Sequence, residues 1–189
     1  MNITEEELIR LCLKKNAKAQ KLLYMKYYGS LLGICMRYGK SKAEAEDILQ
    51  IGMLRIFKNI ESYSGKGSFE GWMKRIMVNV AIDNFRKNSK YYYHHDIDEL
   101  NDEPYLTSDI PNSLEVEDIL NTVQQLPQGY RMVFNLYAIE GYSHKEISLK
   151  LGISENTSKT QLLKARRSLR KKLMRLNKLP QLLKEENEA

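Results

Sequence analysis

The sequence predicts an all-α chain: two small helical domains joined by an extended acidic linker, the second of them a helix-turn-helix domain. Three observations lead there. Apolar residues recur at three- and four-residue steps along most of the chain, and no strand-like alternation persists anywhere. Ser/Thr-x-x-Glu pairs head several of these stretches, the spacing of a capping box in which each side chain satisfies a free backbone N–H. The composition also changes sharply after Lys90: Asp96 to Asp118 holds nine acidic residues and no Lys or Arg, with Pro104 and Pro111 inside it. The expected divisions are residues 1–90, a linker 91–112, residues 113–178 and a frayed tail 179–189.

Thr4 and Glu7 open a short helix through Leu8, Leu11 and Cys12. A second helix runs from about Ala17 to Tyr38, offering Leu22, Leu23, Tyr27, Leu31, Ile34 and Cys35 to a core, and Gly39-Lys40 breaks it. Ser41 and Glu44 start the most regular ladder of the first half: Ala45, Ile48, Leu49, Gly52, Met53, Ile56, Phe57 and Ile60. The other side of that helix carries Asp47, Gln50, Ile51, Leu54, Arg55 and Lys58. Two aliphatics beside Asp47 and Gln50, on what should be a wet face, mark a protein-docking surface.

Residues 62–68 are too rich in Gly and Ser for helix and read as a loop. Ser68 then caps a helix through about Lys87, with Phe69, Trp72, Met73, Ile76, Met77, Val80 and Phe85 inward. Arg75, Asn79, Asp83 and Arg86 share another side. A flexible loop flanked by Tyr63, Phe69 and Trp72, feeding a helix with cations and an amide, suits unstacked bases on aromatics and phosphates on cations. Phe69 and Trp72 equally suit a plain core, and by themselves favour it.

Helix resumes from Ser113 through Leu114, Val116, Ile119, Leu120 and Val123 to Leu126-Pro127, and an apolar helix follows. Ser143 and Glu146 form a further capping box, Ile147 and Leu151 share one face, and Gly152 ends the helix and turns the chain. Ser154 caps a second, long helix whose inward stripe is Ser158, Leu162, Ala165, Leu169, Leu173 and Leu176. Asn156, Thr160, Lys164, Arg167 and Lys171 lie opposite, flanked by Thr157 and Lys159. A short helix, a glycine turn and a helix with a basic outer face form a helix-turn-helix able to enter a DNA major groove. A merely solvated helix would mix charge signs, yet Asn156 to Lys184 holds ten Lys or Arg and no acid.

The formal charge of +6 and a pI near 9.1 favour a polyanionic partner. Cys12 and Cys35 sit in helical apolar patterns and read as buried reduced thiols, which suits a cytosol. There is no CxxC, and the three histidines, His94-His95 included, offer no ligand spacing, so neither metal nor cofactor is expected. No apolar run is long enough to span a bilayer and residues 1–7 are unlike a signal peptide, so the expected location is cytoplasmic, without membrane insertion.

Together these stretches resemble bacterial RNA polymerase sigma factors, specifically the small extracytoplasmic-function (ECF) type of the sigma-70 family, over about Leu8 to Lys172. Ala45-Glu46-Asp47-Ile48-Leu49-Gln50 followed by Leu54-Arg55-Ile56-Phe57 looks like that family's polymerase-docking helix. Residues 69–76 and 78–86 look like its promoter-melting and minus-ten segment. Leu126-Pro127, Tyr130-Arg131, Val133-Phe134, Glu140-Gly141-Tyr142-Ser143, Glu146-Ile147, Leu151-Gly152-Ile153-Ser154, Thr157, Lys159 and Ala165-Arg166 look like its minus-thirty-five reader. Three positions depart from the pattern. The family often has Glu where Ile51 stands, an aliphatic residue at Ser158 and Arg at Gln161; Ser158 weakens the inward stripe, and Gln161 changes a phosphate or base contact.

The resemblance implies a promoter-specificity subunit with no catalysis and no small-molecule substrate. Its partners would be core RNA polymerase, promoter DNA and an anti-sigma factor. Asp47, Gln50, Ile51, Leu54 and Arg55 would dock on polymerase. Asn156, Thr157, Lys159 and Thr160 would reach minus-thirty-five base edges while Lys164 and Arg167 hold phosphates. Tyr63, Lys66, Ser68, Trp72, Arg75, Asn79 and Arg86 would capture the non-template strand as the minus-ten element opens. The acidic linker would thread the polymerase's nucleic-acid channel. A stand-alone helix-turn-helix regulator would need a dimerising or ligand-sensing domain. A recombinase would need a nucleophile amid an arginine cluster, and a helical adaptor leaves the basic face unexplained.

Overall fold

The computed structural model describes residues 3–95 and 116–175, with side chains over 3–88 and 120–172. The expectations for the linker over 96–112, for Leu114, Leu176 and the tail 179–189, and for the side chains of His94, His95, Val116, Ile119 and Leu173, lie outside the described residues. Every regular element among the described residues is helical, as the absence of two-residue alternation predicts. They form two compact units that divide between Asn84 and Phe85.

The first unit is built from α1 (Glu5–Leu13), α2 (Ala17–Tyr38), α3 (Lys42–Asn59), a 3₁₀ turn (Ile60–Ser62) and the first part of α4 (Phe69–His95). Their starts are where polar caps satisfy the free N–H groups of the first turn. Thr4 Oγ1 accepts from Glu7 N, Asn16 Oδ1 from Ala19 N, Ser41 Oγ from Glu44 N and Ser68 Oγ from Gly71 N. Two of the three expected capping boxes are half-formed. Glu7 turns to Arg10, and Glu44 accepts from Lys40 N instead of Ser41 N, because a stronger or nearer donor competes for each carboxylate. The helix α4 continues past Lys87 to His95, through residues assigned by composition to the linker.

Leu8, Cys12, Leu23, Tyr27, Leu31, Ile48, Leu49, Met53, Ile56, Phe69, Met73 and Met77 are all buried. Gly52 leaves room on α3 for the Met77 side chain of α4: a Cβ there would overlap Met77 Sδ. Leu22 corrects the expectation, for it is 49% exposed. Adjacent to Leu23 on the helix, it falls across the boundary of the inward face, a placement that packing rather than hydropathy settles. Conversely Val78, Ala81 and Ile82 are buried although they were outside the expected stripe, which makes the buried face of α4 wider than one seam. Cys12 and Cys35 are free and buried; burial raises both thiols, Cys35 to about 12.

The second unit contains α5 (Val116–Gln124), α6 (Gln128–Phe134), a π turn (Asn135–Ile139), α7 (His144–Leu151) and α8 (Glu155–Arg175). The long α8 packs on α5, α6 and α7. Val123, Leu126, Ala165 and Leu169 make a shared cluster that Tyr130 and Phe134 border. Lys172 Nζ donates to Gln125 O at 3.0 Å and ties α8 to the end of α5. Buried Arg131 donates from Nη1 to Gln124 O at 2.5 Å, joining α6 to α5.

Candidate nucleic-acid and polymerase interfaces

The helix-turn-helix assembles as its sequence prescribes. Ser143 Oγ accepts from Glu146 N at 3.3 Å, and Glu146 Oε2 accepts from Ser143 N at 2.8 Å, a complete capping box at the head of α7. The Ser143 hydroxyl, donating to Glu146 Oε2 at 2.7 Å, and after it the Ser143 N–H hold the Glu146 carboxyl below its ordinary range. Ile147 and Leu151 are buried, and Gly152 takes the left-handed conformation, φ 69°, that turns the chain into α8. Ser154 caps α8 through Thr157 N at 2.9 Å.

On α8, Ser158, Leu162, Ala165 and Leu169 face inward. Asn156, Lys159, Thr160, Lys164 and Arg167 are exposed on the outside, and Thr157 is half-buried with Oγ1 2.8 Å from Ser154 Oγ. Lys164 Nζ stands 5.9 Å from the centre of the Tyr130 ring. Two departures noted in the sequence take physical form here. Ser158 is fully buried, and its hydroxyl lies 2.9 Å from His144 Nδ1, so a hydrogen bond replaces an aliphatic contact between α7 and α8. The His144 ring stacks on Tyr137 at 4.6 Å, and the Arg166 guanidinium lies over the Tyr137 ring. Desolvation first, then Lys159, lowers the His144 pKa. Gln161 corrects an expectation: it is only 8% exposed and faces inward, with Oε1 unbonded, so it offers no outward phosphate or base contact.

In the first unit, Asp47, Gln50, Ile51 and Leu54 all lie on the exposed side of α3, Ile51 at 45% and Leu54 at 70% exposure. Arg55 is half-buried, and its Nη1 donates to Asp83 Oδ2 of α4 at 2.6 Å. Asn84 Nδ2 donates to Glu44 Oε1 at 2.8 Å, a second bond between the same helices.

The aromatic question left open by the sequence resolves by residue. Phe69 is core, stacked on Trp72 at 5.5 Å and met edge-on by Tyr63 at 5.0 Å. Tyr63 and Trp72 remain half-exposed above it, 5.7 Å apart. Tyr63 Oη donates to Gly67 O at 2.8 Å and closes the loop 63–67, in which Gly65 and Gly67 both have left-handed φ. Lys66, Ser68, Arg75, Asn79 and Arg86 are exposed. A pair of half-exposed, mutually tilted aromatic rings beside an amide and cations has the chemistry to stack a base and hold a strand.

A family model described as Sigma-70 region 2 matches residues 23–91, and one described as Sigma-70, region 4 matches residues 117–169. The ECF RNA polymerase sigma factor SigW of Bacillus subtilis is 33% identical over 164 residues, covering 78% of this chain and 84% of its own.

The chain belongs to the ECF sigma factors of the sigma-70 family.

The RNA polymerase sigma-H factor of Pseudomonas aeruginosa is 24% identical over 183 residues, covering 91% of this chain and 95% of its own. A solved structure of RpoE with the anti-sigma factor NepR, from Bartonella quintana, aligns at 19% identity and a TM-score of 0.47, covering 82% of this chain and 96% of that one. As a sigma factor, this protein has core RNA polymerase and promoter DNA for partners. Among the described residues, no helix is long and apolar enough to cross a membrane. The pair that sequence reasoning missed in this sigma factor is Arg55–Asp83. The two residues are 28 positions apart, and no local spacing signals a contact that only helix packing creates.

Proposed function

We propose that the two units divide promoter recognition between them. Residues 1–90 dock on core polymerase and open the minus-ten element, and residues 113–178 read the minus-thirty-five element. Docking uses Asp47, Gln50, Ile51 and Leu54, and the exposed aliphatic pair is the observation that carries it, since large apolar side chains left in water on a regular helix suit a protein partner. Arg55, expected beside them, has its guanidinium turned to Asp83. Tyr63 and Trp72 stack a displaced base, while Lys66, Ser68, Arg75, Asn79 and Arg86 hold the strand around it. Asn156, Thr157, Lys159 and Thr160 read base edges in the major groove, and Lys164 and Arg167 fix phosphates. The acidic linker, which begins after α4 ends at His95 and runs to residue 112, threads the polymerase's nucleic-acid channel. The protein has no catalysis of its own, works in the cytoplasm and is held in check by an anti-sigma factor.

The test is transcription in vitro with purified core polymerase and a fragment library of source genomic DNA. Defined transcript starts that need the protein, with shared upstream sequences, are the expected result. Tight sequence-specific DNA binding by the protein alone, with no polymerase binding and no new starts, would refute it in favour of a stand-alone regulator.

A further inference from the structure

We infer that Arg55 is a positioning residue for promoter opening, acting through Asp83, rather than a contact to polymerase; this rests on the division of roles proposed above. Asp83 lies one turn after Asn79 and one turn before Arg86, with Arg75 one turn before Asn79, so all four share a side of α4. That side is proposed to receive a phosphodiester strand, and Asp83 is the one acid of the four. An unopposed carboxylate there would repel phosphates at close range. Arg55 Nη1, reaching from α3, sits 2.6 Å from Asp83 Oδ2 and offsets that charge.

The same contact has a mechanical consequence. The ion pair and the Glu44–Asn84 bond fasten α4 to α3 at two consecutive residues, Asp83 and Asn84. The docking side of α3 and the strand-binding side of α4 therefore move as one body. A holoenzyme whose α3 is seated on polymerase thereby presents Arg75 and Asn79 in fixed register. Both partners of the pair are more than a third exposed, so the pair contributes little to fold stability, and variants at either position should fold.

The experiment uses holoenzyme reconstituted from core polymerase and full-length chain. One readout is affinity for core. The other is affinity for a single-stranded oligonucleotide carrying the minus-ten non-template strand of a promoter recovered in the transcription experiment. Arg55→Ala and Asp83→Ala should each leave core affinity within about twofold. Arg55→Ala, which leaves the Asp83 carboxylate unopposed, should weaken capture of the oligonucleotide about tenfold, the size expected of a coupled pair, whereas Asp83→Ala, which removes that carboxylate along with the tie, should weaken it less. Arg55→Asp combined with Asp83→Arg should recover most of that loss, which no independent pair of surface residues would do. A loss of core affinity on Arg55→Ala that Asp83→Ala does not share would overturn the inference and return Arg55 to the docking surface. Additive losses with no recovery in the exchanged pair would overturn it too. Failure of the unaltered protein to bind core would instead strike at the proposed function itself.

Discussion

Leu54→Ala is expected to weaken docking on core polymerase while leaving the fold as stable as before. Leu54 is 70% exposed, so the free protein gains little from it. Fully burying a leucine is worth about 1.5–3 kcal/mol, and the share still open to a partner is therefore about 1–2 kcal/mol. That corresponds to a roughly 5- to 30-fold rise in Kd. Ile51, at 45% exposure, has less left to bury, and Ile51→Ala should fall below Leu54→Ala in its effect on binding. The two are one turn apart, so the double variant need not show the sum. Titration of labelled protein with core polymerase, read by fluorescence anisotropy, gives the binding term, and thermal unfolding gives the stability term. Ile48→Ala is the contrasting control: Ile48 is buried in the core-facing stripe of the same helix, and its truncation should cost about 2–5 kcal/mol of stability. A Leu54→Ala protein that binds core as tightly as the parent would refute the reasoning. So would one whose main change is a lowered Tm.

Lys164→Ala should lower holoenzyme affinity for promoter DNA and flatten its salt dependence, measured by binding across a salt series. The log–log slope should fall by about 0.9 for each phosphate that the side chain no longer neutralises. An unchanged slope would show that Lys164 holds no phosphate. Gly152→Ala places a Cβ at φ 69°, which should cost about 1–2 kcal/mol and destabilise the second unit, seen as an earlier thermal transition. The His144 imidazole has a folded-state pKa below its ordinary value of 6.5, so the folded unit binds the proton less readily than the unfolded chain. The stability linked to it is present above that ordinary value and is lost as pH falls through the lowered one. The Tm of the second unit should therefore drop on acidification below about pH 6.5, and His144→Gln should reduce that drop. A Tm profile that His144→Gln leaves unaltered would show that His144 is not the group responsible.

Much of the candidate site was legible because it is written in helical spacing. The outward set Asn156, Lys159, Thr160, Lys164 and Arg167 follows from a period of 3.6 alone, and so does the exposed pair Ile51 and Leu54. The Ser143–Glu146 box and the turn at Gly152 were equally local, each needing only neighbours within one turn. Leu22 and Gln161 were misjudged for the converse reason. Each lies at the margin of a stripe, and the width of a buried face depends on how many helices pack against it. The roles of Glu7 and Glu44 were also beyond the reach of spacing, since Arg10 and Lys40 N compete with the expected cap donors for their carboxylates.

By itself the sequence determined the all-helical class, the starts of α1, α2, α3, α7 and α8, the helix-turn-helix and the sign of its outer face. These depend on backbone N–H groups, rotational period and fixed charge, which are properties of short segments. Only the tertiary structure decided that Phe69 is core while Tyr63 and Trp72 stay open above it, that Ser158 meets His144, and that Arg55 answers Asp83. Those are contacts between segments. Their partners are chosen by which helices lie side by side, and that follows from closing the whole core rather than from any stretch within it.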